Sequence, residues 1–236
     1  WNDVFMQFEK TKDGKFIPLR QKNVDTGMGL ERMLAVKNNL DDNYRTELFS
    51  NIISKIEELS GKKYEEYKKE FRIIADHIKA ATFIISEGIA PSNTDQGYVV
   101  RRLIRRAIRY GKQIGIENEF TTIISDIIIN TYGIYFPDPD KSRINIYAEL
   151  SKEENKFRGA LENGIKELKK IFNSAIGGVD PENLPLGTKI EGNIIRVDGR
   201  IVFDIYQRTG VTIEISQDII VGWGLAFDKN TRDETT

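Results

Sequence analysis

Over the first forty residues apolar positions recur with period two. Val4 to Phe8 reads as a strand, Lys12-Asp13-Gly14-Lys15 as a hairpin turn and Phe16 to Leu19 as the returning strand, because Asp-Gly tolerates the positive φ of tight hairpins. Val24 to Met28 is expected to be a third strand leading into a helix near Leu30. Three strands and one helix leave an apolar sheet face uncovered, which small sheets tolerate poorly. The rest of that sheet is therefore expected outside this sequence.

From about residue 42 the period lengthens. Tyr64, Tyr67, Phe71, Ile74, Ile78, Ala81 and Ile85 alternate steps of three and four and predict a helix with one apolar seam. Phe120 to Tyr132 carries Ile123, Ile124, Ile127, Ile128 and Ile129 around most of its circumference, which predicts a helix covered on several sides at the centre of the core. Ile146 to Phe172 is a longer amphipathic stretch with Leu150, Phe157, Leu161, Ile165, Leu168 and Phe172 on its apolar side, closed by Gly177-Gly178. Those glycines, with Pro181 and Pro185, mark a boundary. Beyond them Ile190 to Ile205 alternates like a strand pair around Asp198-Gly199, while Val202 to Tyr206 equally suits a helical turn. The expected fold class is α+β and mostly helical, in three parts: 1–40, 41–176 and 177–236. No internal repeat or low-complexity tract interrupts this order.

Composition narrows the chemistry. A chain of 236 residues buries about 70 to 75% of its unfolded surface, enough for a real core. It has no cysteine and one histidine, His77, which excludes disulfides, a cysteine nucleophile and Cys/His zinc sites. Charged residues make up 30% and hydrophobic residues 39%, with no apolar run near the roughly 20 residues of a membrane span and no signal peptide. A soluble, cytoplasmic protein without membrane contact is expected. The opening Trp1-Asn2-Asp3-Val4 lacks a methionine and is read as the start of a fragment. The net charge of -1 exerts no global pull on nucleic acid, so any such function rests on charge placed locally.

Two stretches carry candidate chemistry. In Val24-Asp25-Thr26-Gly27-Met28-Gly29-Leu30-Glu31-Arg32, alternating glycines let a ligand lie against the backbone. An arginine on the next helix can reach a phosphate or stack on a base. Asp25 suits an ammonium group. A glycine-rich strand-to-helix junction with an ordinary surface arginine fits the spacing equally well. The second stretch is basic. At 100° per residue Arg101, Arg102, Arg105, Arg106, Arg109 and Lys112 share one helix face opposite Leu103, Ile104, Ala107 and Ile108, and no acid lies between Gln96 and Gln113. Such a stripe can track phosphates; it can also be a solvated face paired with acids such as Glu65, Glu66 or Glu70. Asn93 lies on a turn just before it, either reaching a groove or capping the next helix. Asp76 and His77 lie mid-helix and read as a satisfied, partly buried pair rather than as catalytic groups.

These stretches bear a family resemblance. Gly27-Met28-Gly29-Leu30-Glu31-Arg32 resembles motif 3 of class II aminoacyl-tRNA synthetases, and Val24-Asp25-Thr26 with Trp1-Asn2-Asp3-Val4-Phe5-Met6-Gln7-Phe8 is similar to the alanine-specific branch, the alanine-tRNA ligases. Ile73-Ile74-Ala75-Asp76-His77-Ile78-Lys79, Pro91-Ser92-Asn93 and Gly97-Tyr98-Val99-Val100-Arg101-Arg102-Leu103-Ile104-Arg105-Arg106-Ala107 follow in the family's order, and the likeness runs from residue 1 to about 172. It implies that 1–40 ends a class II catalytic domain, that 41–176 is a helical domain recognising the tRNA acceptor stem, and that 177–236 is a subdomain of that recognition region.

By that resemblance Val4, Asp25 and Gly27 line an alanine pocket, with Asp25 on the amino group, while Gly29 and Arg32 hold ATP. Asn93 reads the G·U wobble pair and the basic residues contact tRNA(Ala). The family's partner for that asparagine is an aspartate in a Leu-Tyr-Asp-Thr-Tyr-Gly-Phe-Pro stretch; here Ile205-Tyr206-Gln207-Arg208-Thr209-Gly210-Val211-Thr212 places Gln207 there. An amide hydrogen-bonds but offers no charged acceptor, so recognition would be weaker, shared with Arg208 or arranged differently. The intact enzyme would use ATP and Mg2+, with alanine, ATP, tRNA(Ala) and the remainder of the synthetase as partners. This chain, lacking motifs 1 and 2, is expected to be inactive alone, to bind no cofactor and to hold no metal. A non-catalytic helical module binding RNA or protein is the alternative; a small independent ATP-using enzyme would need a second phosphate-binding element that the sequence does not display.

Overall fold

The computed structural model describes residues 2–136, 138–172, 188–191 and 194–227. Gly177-Gly178, Pro181 and Pro185, expected to mark a boundary, lie outside the described residues, as does Trp1. The chain divides into two compact units, Trp1–Ser54 and Lys55–Thr236.

In the first unit β1 (Asn2–Lys10) pairs antiparallel with β2 (Phe16–Gly27) around Gly14, whose φ of 83° is the conformation Asp-Gly predicts. The expected third strand is instead the far half of β2. Met6 pairs with Asn23 and Phe8 with Pro18, so a bulge in β2 takes up Leu19 to Lys22 and joins the two expected strands. Pro18 sits where the register shifts, where a missing N–H costs the ladder least. Both faces of this ribbon are open: Phe5 is 76% exposed, Phe16 68% and Val24 62%, the uncovered apolar surface that the pattern predicts. Helix α1 (Leu30–Lys37) starts from Gly29, whose carbonyl accepts from Met33 N at 2.9 Å. The next helix, α2, spans Glu47–Ser60.

The second unit is built on α3 (Lys68–Ser86), α4 (Asp95–Gln113), α5 (Thr121–Tyr132) and α6 (Pro139–Phe172). The predicted seam of α3 is buried at Phe71, Ile74, Ile78, Ala81 and Ile85; Tyr64 lies ahead of the helix, its hydroxyl accepting from Arg72 Nε at 2.8 Å. Helix α4 packs along α3, and Gly111 permits this arrangement to close on Phe120, whose ring would lie 2.6 Å from an added Cβ. Buried hydroxyls of Thr82 and Ser125, 3.0 Å apart, tie α3 to α5. Helix α6 opens with Asp138 accepting from Lys141 N at 3.1 Å and Pro139 in its first turn. It packs on α3, α4, α5 and two later helices. The centre of the core is thus α3 and α6, and α5 is not covered all round: Ile124, Ile128 and Ile129 are buried, but Ile123 is exposed and Ile127 half-buried along a surface groove.

Strands β3 (Thr188–Glu191) and β4 (Ile194–Val197) pair antiparallel, and β5 (Ala226–Phe227) adds parallel to β4. The expected strand pair therefore closes before Asp198. Asp198 caps α7 (Gly199–Thr209), its carboxylate accepting from Arg200 N at 2.9 Å, which resolves Val202 to Tyr206 as helix. Gly210, at φ 76°, ends α7, and α8 (Ile213–Gly222) follows. Among the described residues no helix is long and apolar enough to cross a membrane.

Two glycines of α6 differ in what surrounds them. A Cβ on Gly164 would meet Val211 Cγ2 at 2.5 Å, whereas one on Gly159 would meet nothing within 4 Å. Gly164→Ala is expected to destabilise the chain by about 1–3 kcal/mol through overpacking. Gly159→Ala is expected to stabilise it by about 0.5–1 kcal/mol through helix propensity. Urea denaturation of both variants checks the opposite signs.

Candidate functional site

The hairpin register decides which residues of the first unit share a face. Val4 and Asp25 are direct cross-strand partners, so their side chains stand side by side, with Gly27 two residues along on the same face. Asp3 and Thr26 occupy the other face, where Thr26 Oγ1 donates to Asp3 Oδ1 at 2.9 Å. Asp25 is exposed and has no ion-pair partner among the described residues. A Cβ on Gly27 would enter open space, while one on Gly29 would touch the Arg32 side chain at 3.4 Å, placing that arginine back along the strand-to-helix junction. Arg32 itself is exposed. The ribbon thus presents a carboxylate, a small apolar side chain and bare backbone on one open surface.

The basic helix does not present one uncompensated row. Arg102 and Arg106 are exposed, each lying 5.9 Å from a ring, Tyr98 and Tyr110 respectively. The others meet acids from distant sequence. Arg105 is buried and donates from Nε to Glu153 at 2.6 Å; Arg101 Nε lies 3.3 Å from the same carboxylate. Arg109 approaches Asp218 at 3.5 Å, and Lys112 Nζ lies 2.9 Å from Glu162. None of these six uses Glu65, Glu66 or Glu70. A wheel drawn on one helix cannot register acids brought up by α6 and α8, so the expectation of a stripe without compensation is corrected here.

Asn93 is exposed and does not cap α4, whose N-cap is Thr94. Its Oδ1 instead accepts from Arg101 Nη1, leaving the amide N–H2 as its free end. The turn holding it depends on Gly97, where an added Cβ would come within 2.6 Å of Ala90 O; Ser92 N donates to Gly97 O at 3.0 Å. From Asn93 polar contacts run through Arg101 to Glu153, on to Arg105, and from Arg105 Nη1 to Gly210 O at 2.8 Å. Gln207 is exposed on the last turn of α7, three residues before Gly210. Arg208 lies 3.6 Å from Glu167. The polar contacts that start at Asn93 thus end at the Gly210 carbonyl, and Gln207 is not among the residues that they join.

Sequence reading missed the acids that organise this region. Glu154, fully buried, accepts from Phe120 N, Thr121 N at 3.0 Å and Thr121 Oγ1, and from Arg158 Nε and Nη2 at 3.1 and 2.8 Å. It caps α5 from another helix, where the unpaired N–H groups and positive end of the dipole favour an anion. A signal was available: Leu150 and Phe157 are seven residues apart on the seam, and the seam positions between them are Glu153 and Glu154.

His77 and Asp76 are close but not fully matched. Their Nδ1 and Oδ2 are 3.5 Å apart, and the buried Nδ1 makes no hydrogen bond among the described residues. The interaction with His77 nevertheless holds the Asp76 carboxyl below its ordinary value of 3.8, against the opposing effect of burial. Among the described residues no group of three or more His, Cys, Asp or Glu side chains is arranged to hold a metal ion.

The chain matches the family model described as tRNA synthetases class II (A) over residues 1–236, and it belongs to that family. Among its relatives are the alanine-tRNA ligases of Staphylococcus aureus strains JH9, Newman and N315, each 36% identical over 234 residues, which is 98% of this chain and 25% of theirs. The chain thus spans about a quarter of the length of these curated relatives.

Glu153→Gln removes the carboxylate that Arg101 and Arg105 share, leaving a buried guanidinium without a counter-charge. The expected loss is about 3–5 kcal/mol of stability, measured by chemical denaturation. The lowered Asp76 pKa sets a second expectation. Because the folded-state value lies below the unfolded one, its contribution is complete above about pH 5 and is lost as pH falls through the folded value. Asp76→Asn should therefore lose less stability than the parent between about pH 5 and 3, as read from thermal midpoints across that range.

Proposed function

We propose that this chain is the part of an alanine-tRNA ligase that ends the catalytic sheet and recognises the tRNA acceptor stem. The whole enzyme would activate alanine with ATP and transfer it to tRNA(Ala). On this reading residues 1–40 complete the catalytic domain, 41–176 form the recognition domain and 177–236 its C-terminal subdomain. Val4, Asp25 and Gly27 would border the alanine site, with Asp25 accepting from the ammonium group; Gly29 and Arg32 would meet ATP. Support comes from the cross-strand pairing of Val4 with Asp25 and from the exposure of Asp25 and Arg32. A pocket bounded by a small side chain and bare backbone suits a substrate with one methyl, though size alone discriminates by only about 1–3 kcal/mol. The whole enzyme would use ATP together with Mg2+.

The observation that carries the RNA half of the reading is Asn93. Its carbonyl is committed to Arg101, its amide N–H2 is free and exposed, and the helix it precedes displays Arg102 and Arg106. A fixed donor suits a base-edge or 2′-hydroxyl acceptor in the shallow RNA minor groove, while the two exposed arginines suit phosphates. Arg101, Arg105, Arg109 and Lys112, partly or wholly engaged with Glu153, Asp218 and Glu162, would shape the surface more than contact RNA. Gln207, exposed on the last turn of α7, would act as a neutral partner in that recognition.

Binding of an acceptor-stem hairpin with G·U, against the same hairpin with G·C, should favour G·U by about tenfold, or 1.4 kcal/mol. Asn93→Ala should abolish the preference. Arg102→Gln with Arg106→Gln should weaken both hairpins equally and lower the salt slope by about one per arginine. Equal affinity for the two hairpins, unaltered by Asn93→Ala, would sink the assignment of Asn93.

A further inference from the structure

At the end of α4 remote from Asn93 lies a second concavity. Helix α4 rises by roughly 1.5 Å per residue, so Arg109 stands on the order of 20 Å along the helix from Asp95. The cavity there is about 610 Å³, within the roughly 300–1,000 Å³ that small-ligand sites occupy. Four cations line it: Lys69 from the first turn of α3, Arg109 and Lys112 from the last turns of α4, and Lys169 from α6. Asp218 is the one acidic residue of its lining among the described residues. Leu161 and Ile165 of α6 make an apolar wall, and Trp223, half-buried at the end of α8, offers a flat indole.

The charges in this cavity are not all neutralised. Lys112 is held by Glu162 at 2.9 Å, and Arg109 is loosely engaged with Asp218 at 3.5 Å. Lys69 and Lys169 are exposed and meet no carboxylate among the described residues; the ammonium of Lys69 instead lies 5.8 Å from the Tyr110 ring. Self-repulsion among these cations is relieved by an anion. Ammonium groups on flexible stems suit a compact, multiply charged phosphate, whereas a carboxylate would favour bidentate arginine forks. The apolar wall and the indole beside them suit a flat ring attached to that phosphate.

We propose that this groove binds a nucleoside phosphate, with the base against Trp223 and the apolar wall and the phosphate among Lys69, Arg109 and Lys169. The source is a free mononucleotide or an unpaired nucleotide of an RNA strand. The proposal does not rest on Asn93 reading a base pair, nor on Arg32 holding ATP, because it shares no residue with either.

The test uses the 236-residue chain with Trp1→Phe, which leaves Trp223 as the single tryptophan. Its fluorescence is titrated with adenosine 5′-monophosphate, adenosine, inorganic phosphate, a short unpaired RNA bearing a 5′-phosphate, and an oligoglutamate peptide. Adenosine monophosphate should change the signal saturably, with adenosine and phosphate each at least about tenfold weaker. Lys69→Gln with Lys169→Gln should weaken binding by about tenfold or more; both residues are exposed, and an unchanged circular dichroism spectrum confirms folding. Arg32→Ala should leave the titration unchanged. Tighter binding of the RNA than of the mononucleotide assigns the strand as source, and the reverse order assigns the free nucleotide. The proposal is overturned by no saturable signal, by indifference to the double lysine variant, by loss of binding in Arg32→Ala alone, or by oligoglutamate competing as well as the nucleotide.

Discussion

Two adjacent carboxylates on α6 hold the second unit together. Neighbouring residues on a helix point about 100° apart, so Glu153 and Glu154 serve different partners from one turn. Glu153 faces α4 and neutralises Arg101 and Arg105; Glu154 faces the start of α5, receiving its N–H groups and Arg158. Buried charges are costly unless paired and hydrogen-bonded. Each acid therefore requires its partner helix at one position and one rotation. Apolar packing of Phe157, Leu161 and Leu168 supplies most of the burial energy, but burial is non-directional, and the acids supply the register.

That register reaches the candidate RNA-facing surface. Arg101 bridges Glu153 inside the unit to Asn93 outside it, and Arg105 extends from the same carboxylate to the carbonyl of Gly210. The close approach of α6 to the α7–α8 junction at Gly164 and Val211 keeps Gly210 within that reach. Rotating the Asn93 amide would forfeit its bond to a guanidinium anchored elsewhere. An exposed turn is in this way oriented by groups that lie in the core.

Local patterns in the sequence disclosed the local parts of this architecture. The α3 seam, the Asp13-Gly14 turn, the open apolar ribbon and the amphipathic course of α6 all follow from periodicity and backbone chemistry within one element. What failed to show depends on pairing between elements. The bulge that joins the two expected strands into β2 is a property of two strands in register. The isoleucine-rich α5 looked central because period analysis counts apolar positions and cannot tell which of them a neighbour covers; Ile123 is left exposed and Ile127 half-buried. Asp198-Gly199 suits a turn and a helix start alike, and the cap on Arg200 N decides for the helix.

The arginines of α4 show why the site was only half legible. All six basic residues fall on one face of a wheel, yet that face is wide enough to border both α6 and open surface. Residues turned toward α6 and α8 find carboxylates 48 to 109 positions downstream, closely at Arg105 and loosely at Arg109. Arg102 and Arg106, turned the other way, stand against Tyr98 and Tyr110. A charged helix in a small core cannot leave its inner cations unpaired, so a basic motif of this length necessarily splits into structural and surface members. The division falls between positions 101 and 102 and again between 105 and 106, one residue apart each time, which is the resolution at which composition alone cannot assign a role.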